Sequence, residues 1–260
     1  HNFNIYALTG EYCRYRTGLG PYEQTVRFVD EYIPRQFKHF TPWGMYRDPN
    51  NPITYDITVR QNLSLLLYGG YDGPYRAAVD ELLRRGALTM LFFTAPNGQA
   101  PFGGRSNQYH HQEAMIACIA EYEARRYAEL GEMALAGAFK RLARQAVATS
   151  IRFWQKEPWR DLKNAFHPIT RHGREGYGEY SVYSLLAASL YGVAYHLADD
   201  TIPEAPLPAE LAGTSSAFSP ALAPGSIPAL GPTPDHAPTL GPALAPGPGY
   251  GYVFDIGESF

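Results

Sequence analysis

The stretch SLLAASLYGVAYHLA, Ser184–Ala198, is apolar over much of the circumference that it would present as a helix. The shorter stretch AMIACIA, Ala114–Ala120, has the same character. A helix that is apolar on all sides is buried between neighbouring helices. These two stretches therefore predict an inner layer of helices, as in an α/α toroid, rather than a small bundle.

The rest of the first 200 residues predicts further helices separated by short turns. Seven are expected: Asn2–Tyr15, Tyr22–Gln36, Asp56–Tyr68, Pro74 to about Phe93, Ser106–Leu130, Gly131–Lys156 and Gly178–Leu197. Asp56 and Ser106 are the expected N-caps of the third and fifth helices. No convincing alternation of polar and apolar residues indicates a strand between them. We expect an all-α fold of antiparallel helical hairpins forming part of an (α/α) toroid, because a complete toroid needs more helices than these.

Composition divides the chain into three segments. Residues 1–200 form the helical domain. Residues 201–249 are rich in Pro, Ala and Gly and repeat the motif PALAPG at Pro220–Gly225 and Pro242–Gly247. Such a sequence prevents helix and predicts an extended Pro-rich linker or tail. Residues 250–260, YGYVFDIGESF, resemble a strand that either opens a further domain or packs back onto the helical body. In the first case we expect a C-terminal β-rich domain as a partner outside this chain.

Overall composition excludes several classes of protein. Of the 260 residues, 45% are hydrophobic, which is sufficient for an ordinary core. The formal net charge of −3 provides no basic field, so no nucleic-acid partner is expected. The apolar stretches are shorter than the roughly 18–20 residues of a membrane span. Cys13 and Cys118 belong to no CxxC pair, so neither a disulfide scaffold nor a structural zinc site is expected.

The first candidate site is the segment PFGGRSNQYHHQE, Pro101–Glu113, at the start of a predicted helix. Backbone N–H groups at a helix start favour an anionic ligand. The expected substrate-binding residues are Arg105, Asn107, Gln108 and Tyr109, and the expected catalytic residues are His110, His111 and Glu113. Adjacent histidines face different ways on a helix, so no metal is expected here. The alternative is a capped helix with two ordinary polar histidines.

Two further segments have similar character. HPITRHGREGYGEYSVY, His167–Tyr183, opens the last predicted helix, and RDPNNPITYDITVR, Arg47–Arg60, brings Tyr55 to the start of another. The second segment supplies the candidate binding residues His167, Arg171 and His172 and the candidate catalytic residues Glu179, Tyr180 and Tyr183. Segments that start inner helices would meet at one end of the helical array. The alternative is a solvated loop whose tyrosines only pack.

Tyr, His, Asn and Arg together suit β-elimination from a uronic acid. Asn107 and Arg105 would neutralise the carboxylate, His111 or His110 would remove the C5 proton, and Tyr183 or Tyr180 would protonate the leaving oxygen. No cofactor is required. A glycoside hydrolase would instead need a carboxyl pair, which Glu113 and Glu179 could supply. A non-catalytic module that binds glycan or protein is the third alternative.

A family resemblance points the same way. It rests on GGRSNQ at Gly103–Gln108 with the His-rich helix that follows, on REGYGEYS at Arg174–Ser181, and on the terminal GYVFDIGESF. The chain resembles bacterial carbohydrate-active enzymes of the heparinase II/III-like and rhamnose–glucuronate lyase-like kind, in which a β-sandwich region follows an α/α toroid. The resemblance implies a polysaccharide lyase that acts on an acidic polysaccharide or oligosaccharide and is secreted or periplasmic.

Overall fold

A computed structural model describes residues 2–101, 103, 106, 109, 111–153 and 182–211. In this part of the chain the regular structure is helical and no strand forms, which confirms the all-α class. The helices are α1 (Asn2–Arg16), α2 (Tyr22–Tyr32), α3 (Pro34–Phe37), α4 (Ile53–Tyr68), α5 (Arg76–Phe93), α6 (His111–Glu129), α7 (Met133–Phe153), α8 (Val182–Leu197) and α9 (Pro208–Leu211).

The chain consists of two compact units, residues 1–207 and residues 208–260. Helices α1 to α8 belong to the first unit, and the short helix α9 belongs to the second. The predicted PALAPG repeats and the predicted strand at 250–260 lie outside the described residues.

Helices α1, α4, α6 and α8 run parallel to one another. The Thr9 hydroxyl donates to the Asn62 carbonyl at 3.0 Å, and seven residues later in both helices Arg16 reaches the Gly69 carbonyl at 2.5 Å. Between α4 and α6, Gln112 Nε2 donates to Thr54 Oγ1 at 2.6 Å near the start of both helices. Further along the same two helices, Thr58 Oγ1 donates to Met115 Sδ at 3.6 Å. Helix α8 contacts His111 of α6 through Tyr183 near its start and Tyr68 of α4 through His196 near its end. Contacts that advance in step along two helices establish a parallel pair, so these helices begin at the same end of the unit.

Helices α5 and α7 are the antiparallel partners of α4 and α6. Short connections link α4 to α5 and α6 to α7, and a short connection favours antiparallel neighbours. The Tyr127 ring of α6 stacks on Phe139 of α7 with centroids 5.4 Å apart, and Lys140 of α7 reaches back to Glu121 at 3.0 Å. Parallel helices with antiparallel partners confirm the predicted helical hairpins here.

The prediction that inner helices are buried on all sides is right for α6 and wrong for α8. Every residue of Ala114–Ala120 is buried. In α8 one face packs in the core through residues such as Leu190, but Leu185 is 75% exposed and Tyr195 is 86% exposed. The apolar composition of α8 therefore reflects one packed face and one apolar surface.

Two predicted N-caps are wrong. Helix α4 begins at Ile53, after Pro52 in an extended conformation, so Asp56 lies inside the first turn. There its carboxylate accepts the Tyr46 N–H at 2.7 Å and two hydrogen bonds from Arg60 at 2.8 Å. Ser106 has φ 62°, which is incompatible with the extended conformation of an N-cap residue, and α6 begins five residues later at His111.

Candidate functional site

The starts of the four parallel helices bring four sequence-distant aromatic side chains into one region. They are Tyr6 of α1, Tyr55 of α4, His111 of α6 and Tyr183 of α8, and Tyr109 joins them from the segment before α6. We call these five residues the aromatic cluster. Four of the five are predicted site residues. Ring contacts join Tyr109, His111 and Tyr183, and Tyr55 lies near Tyr6.

His111 contacts two tyrosine rings that also contact each other. Its imidazole stacks on Tyr109 with centroids 5.5 Å apart and an interplanar angle of 18°, and its centroid is 4.5 Å from that of Tyr183. Tyr109 and Tyr183 also contact each other, at 4.9 Å. His111 is 5% exposed, whereas Tyr183 is half-buried. Tyr183 is therefore the most solvent-accessible of these three rings.

Tyr6 completes the cluster from α1, and it is not among the site residues predicted from the sequence. The residue is 40% exposed, but its hydroxyl is sheltered against α4. Burial raises the pKa of Tyr6, while hydrogen bonds with the Thr58 and Asn62 side chains act in the opposite direction. The charges of Tyr55 and Tyr183 also raise this pKa, since both phenols lie nearby. Only the parallel alignment of α1 with α4 would have indicated this tyrosine.

A polar network fixes the segment before α6 onto α4. The Ser106 carbonyl accepts hydrogen bonds from Thr54 Oγ1 at 3.0 Å and from Gln112 Nε2 at 2.7 Å. The Ser106 hydroxyl and the Tyr55 hydroxyl share a hydrogen bond at 3.0 Å. The left-handed backbone of Ser106 is therefore held by three side chains, and Tyr55 is held in place at the edge of the cluster.

Three carboxylates at this end of the helices are bound by backbone N–H groups. Asp48 accepts from Asn2 at 2.9 Å, Asp56 from Tyr46 at 2.7 Å and Glu113 from Ala100 at 2.8 Å. All three residues are buried, and Glu113 is only 1% exposed. Such carboxylates offset the positive ends of the helix dipoles. Glu113 is therefore held as a structural group, although it is close to His111 in sequence.

Nine of the predicted site residues lie outside the described residues. They are Arg105, Asn107, Gln108, His110, His167, Arg171, His172, Glu179 and Tyr180. Their roles remain predictions. Among the residues that are described, no three His, Cys, Asp or Glu side chains are arranged to hold a metal ion.

Comparison with models of known protein families, with curated proteins and with solved structures found no significant match. Within the described part of the chain, no helix combines the length and the apolar character that crossing a membrane requires. The family resemblance and the function that it implies therefore rest on the sequence motifs.

Proposed function

We propose that the protein is a polysaccharide lyase that cleaves a uronic-acid-containing glycan by β-elimination, with the aromatic cluster as its acid–base centre. The observation that carries the proposal is the contact between His111 and Tyr183, which belong to different helices and meet where four helices begin. An imidazole can accept a proton and a phenol can donate one, and these are the two proton transfers of the reaction. We further propose that the parallel helices belong to an α/α toroid and that a β-rich domain accompanies it.

The proposed reaction needs three functions. The sugar carboxylate must be neutralised so that the C5 proton becomes acidic, and Arg105 and Asn107 are assigned to it. Neutral His111 takes the C5 proton, the C4–C5 double bond forms, and the C4–O bond breaks. The Tyr183 hydroxyl gives its proton to the leaving oxygen. Tyr6 and Tyr55 border the pair and are assigned to the sugar rings, which pack well on aromatic faces.

Hydrolysis has less support. A glycoside hydrolase uses two carboxyl groups on opposite sides of the scissile bond. Glu113, one of the two candidates, is buried and accepts the Ala100 N–H. That carboxylate is already bound to the backbone, and Glu179 lies outside the described residues, whereas His111 and Tyr183 contact each other, so elimination is the better proposal.

Substitutions in the cluster test this proposal. We expect His111→Ala and Tyr183→Phe each to lower kcat on an acidic glycan by about 10²–10⁴-fold, the usual contribution of a positioned acid or base. Activity is followed by the ultraviolet absorbance of the unsaturated product. Tyr195→Phe is the matched control, because Tyr195 lies on the same helix, is 86% exposed and is outside the cluster. Equal activities of Tyr183→Phe and Tyr195→Phe would contradict the assignment.

A further inference from the structure

A cleft lies at the end of the parallel helices opposite to the aromatic cluster. Its volume is about 290 Å³, and Arg76, Arg125, Arg126, Asp80, Tyr68 and Tyr122 are among its lining residues. We call it the arginine cleft. Fourteen residues of α6 separate His111 from Arg125, which places the two sites about 21 Å apart along that helix. No residue of the aromatic cluster lines the cleft.

One of the three arginines already has hydrogen-bond and ion-pair partners within the fold. Arg126 donates to Glu123 at 3.0 Å and to the Asp80 carbonyl at 2.7 Å, and its guanidinium is 3.5 Å from the Asp80 carboxylate. It also lies in the last turn of α6, where a cation is favourable. Arg76 and Arg125 have no such carboxylate partner among the described residues.

Arg76 is placed where a cation is unfavourable. It is the first residue of α5, an 18-residue helix with no side-chain N-cap and no acidic residue in its first turn. The positive end of the helix dipole repels a guanidinium there and attracts an anion. Arg76 donates one hydrogen bond to the Tyr71 carbonyl at 2.6 Å, and neither it nor Arg125 forms an ion pair in the described chain.

The charges and rings of the cleft indicate the class of ligand. The lining contains three arginines and two carboxylates, Asp80 and Glu129, so guanidinium groups outnumber carboxylates on its walls. An arginine fork matches the geometry of a carboxylate or a phosphate. Tyr68 and Tyr122 add aromatic surface, and the volume lies just below the usual range for ligand pockets. Such a cleft suits one charged sugar-sized molecule rather than a polymer.

We propose that the arginine cleft binds a sugar acid or a sugar phosphate, with its anionic group between Arg76 and Arg125 and its ring against the tyrosines. This binding is independent of the elimination reaction, because the two sites share no residue. It therefore remains testable even if the protein has no lyase activity.

Titration calorimetry on the full chain tests the proposal with glucuronate, glucose 6-phosphate, inorganic phosphate and neutral glucose. We expect at least one charged sugar to bind, more tightly than phosphate alone, and glucose not to bind. Arg125→Gln and Arg76→Gln should each weaken binding about tenfold or more, because a charge-assisted hydrogen bond is lost. Higher salt should weaken binding as well.

One control locates the binding. Arg144→Gln changes a half-exposed arginine of α7 that pairs with Glu204 and Asp200 outside the cleft, so affinity should be unchanged. The proposal is overturned if neither charged sugar binds, if phosphate alone binds as tightly, if Arg125→Gln retains full affinity while folded, or if Arg144→Gln weakens binding equally.

Discussion

Glu123 of α6 is a fully buried acid between arginines. Its Oε1 accepts a hydrogen bond from Arg126 at 3.0 Å, whereas its Oε2 has no hydrogen-bond partner among the described residues. Burial raises the pKa of Glu123 to about 7, and the charges of Arg126 and Arg60 limit the rise. Glu123 therefore carries a proton in the folded protein at a pH at which an unfolded carboxyl group has lost it.

This raised pKa predicts a pH-dependent stability. Between the ordinary carboxyl pKa and about 7, the folded protein binds more protons than the unfolded chain, so its free energy of unfolding falls as pH rises. The slope is at most about 1.4 kcal/mol per pH unit. We expect the stability of the wild type relative to Glu123→Gln to fall by about 2 kcal/mol from about pH 5 to pH 8. Urea unfolding at several pH values measures the free energy of unfolding of both proteins. If the two free energies change with pH by the same amount, the prediction is contradicted.

At the scale of single elements, the interface of α4 and α5 depends on a glycine. Arg60 is buried in α4, and its guanidinium binds Asp56 and donates to the Gly44 carbonyl at 3.3 Å and the Leu83 carbonyl at 3.4 Å. A Cβ atom at Gly86 of α5 would overlap that guanidinium. Gly86 therefore lets the buried charged group lie against α5.

Alanine substitutions of two helical glycines test this explanation. Gly86→Ala should destabilise the protein by about 1–3 kcal/mol, because the new methyl group displaces a buried guanidinium. Gly192→Ala in α8 is the matched control, since a Cβ atom there meets nothing within 4 Å. The control should be neutral or stabilising by about 0.5–1 kcal/mol, the helix propensity gain. Thermal or urea unfolding compares them, and similar effects of both variants would disprove the role of Gly86.

Helix positions were predictable from sequence more reliably than helix starts or exposed faces. Proline, glycine and apolar spacing located α4 and α6, but not their first residues. Ser106 fits an N-cap by residue type, yet contacts with Thr54 and Gln112 hold it in a left-handed conformation. The exposed face of α8, with Tyr195, also depends on tertiary packing rather than on local pattern.

At the scale of the first unit, four parallel helices explain how distant segments form one cluster. The sequence predicted that polar and aromatic segments at helix starts would meet, and the contacts of His111 with Tyr109 and Tyr183 agree with it. It could not predict Tyr6, whose place depends on the register of α1 against α4, or the burial of Glu113. The arginine cleft could not be predicted from the sequence either, because its residues come from four different helices.

The most direct test of the central claim is the ultraviolet absorbance of unsaturated product during incubation of the wild-type chain with a panel of uronic-acid polysaccharides, with reducing ends measured in parallel. The account predicts that absorbance and reducing ends rise together with at least one substrate, because each elimination creates one conjugated double bond and one new reducing end. Reducing ends without absorbance would contradict elimination in favour of hydrolysis. If neither absorbance nor reducing ends increase with any substrate, the assignment of the aromatic cluster as a catalytic centre of this chain is contradicted.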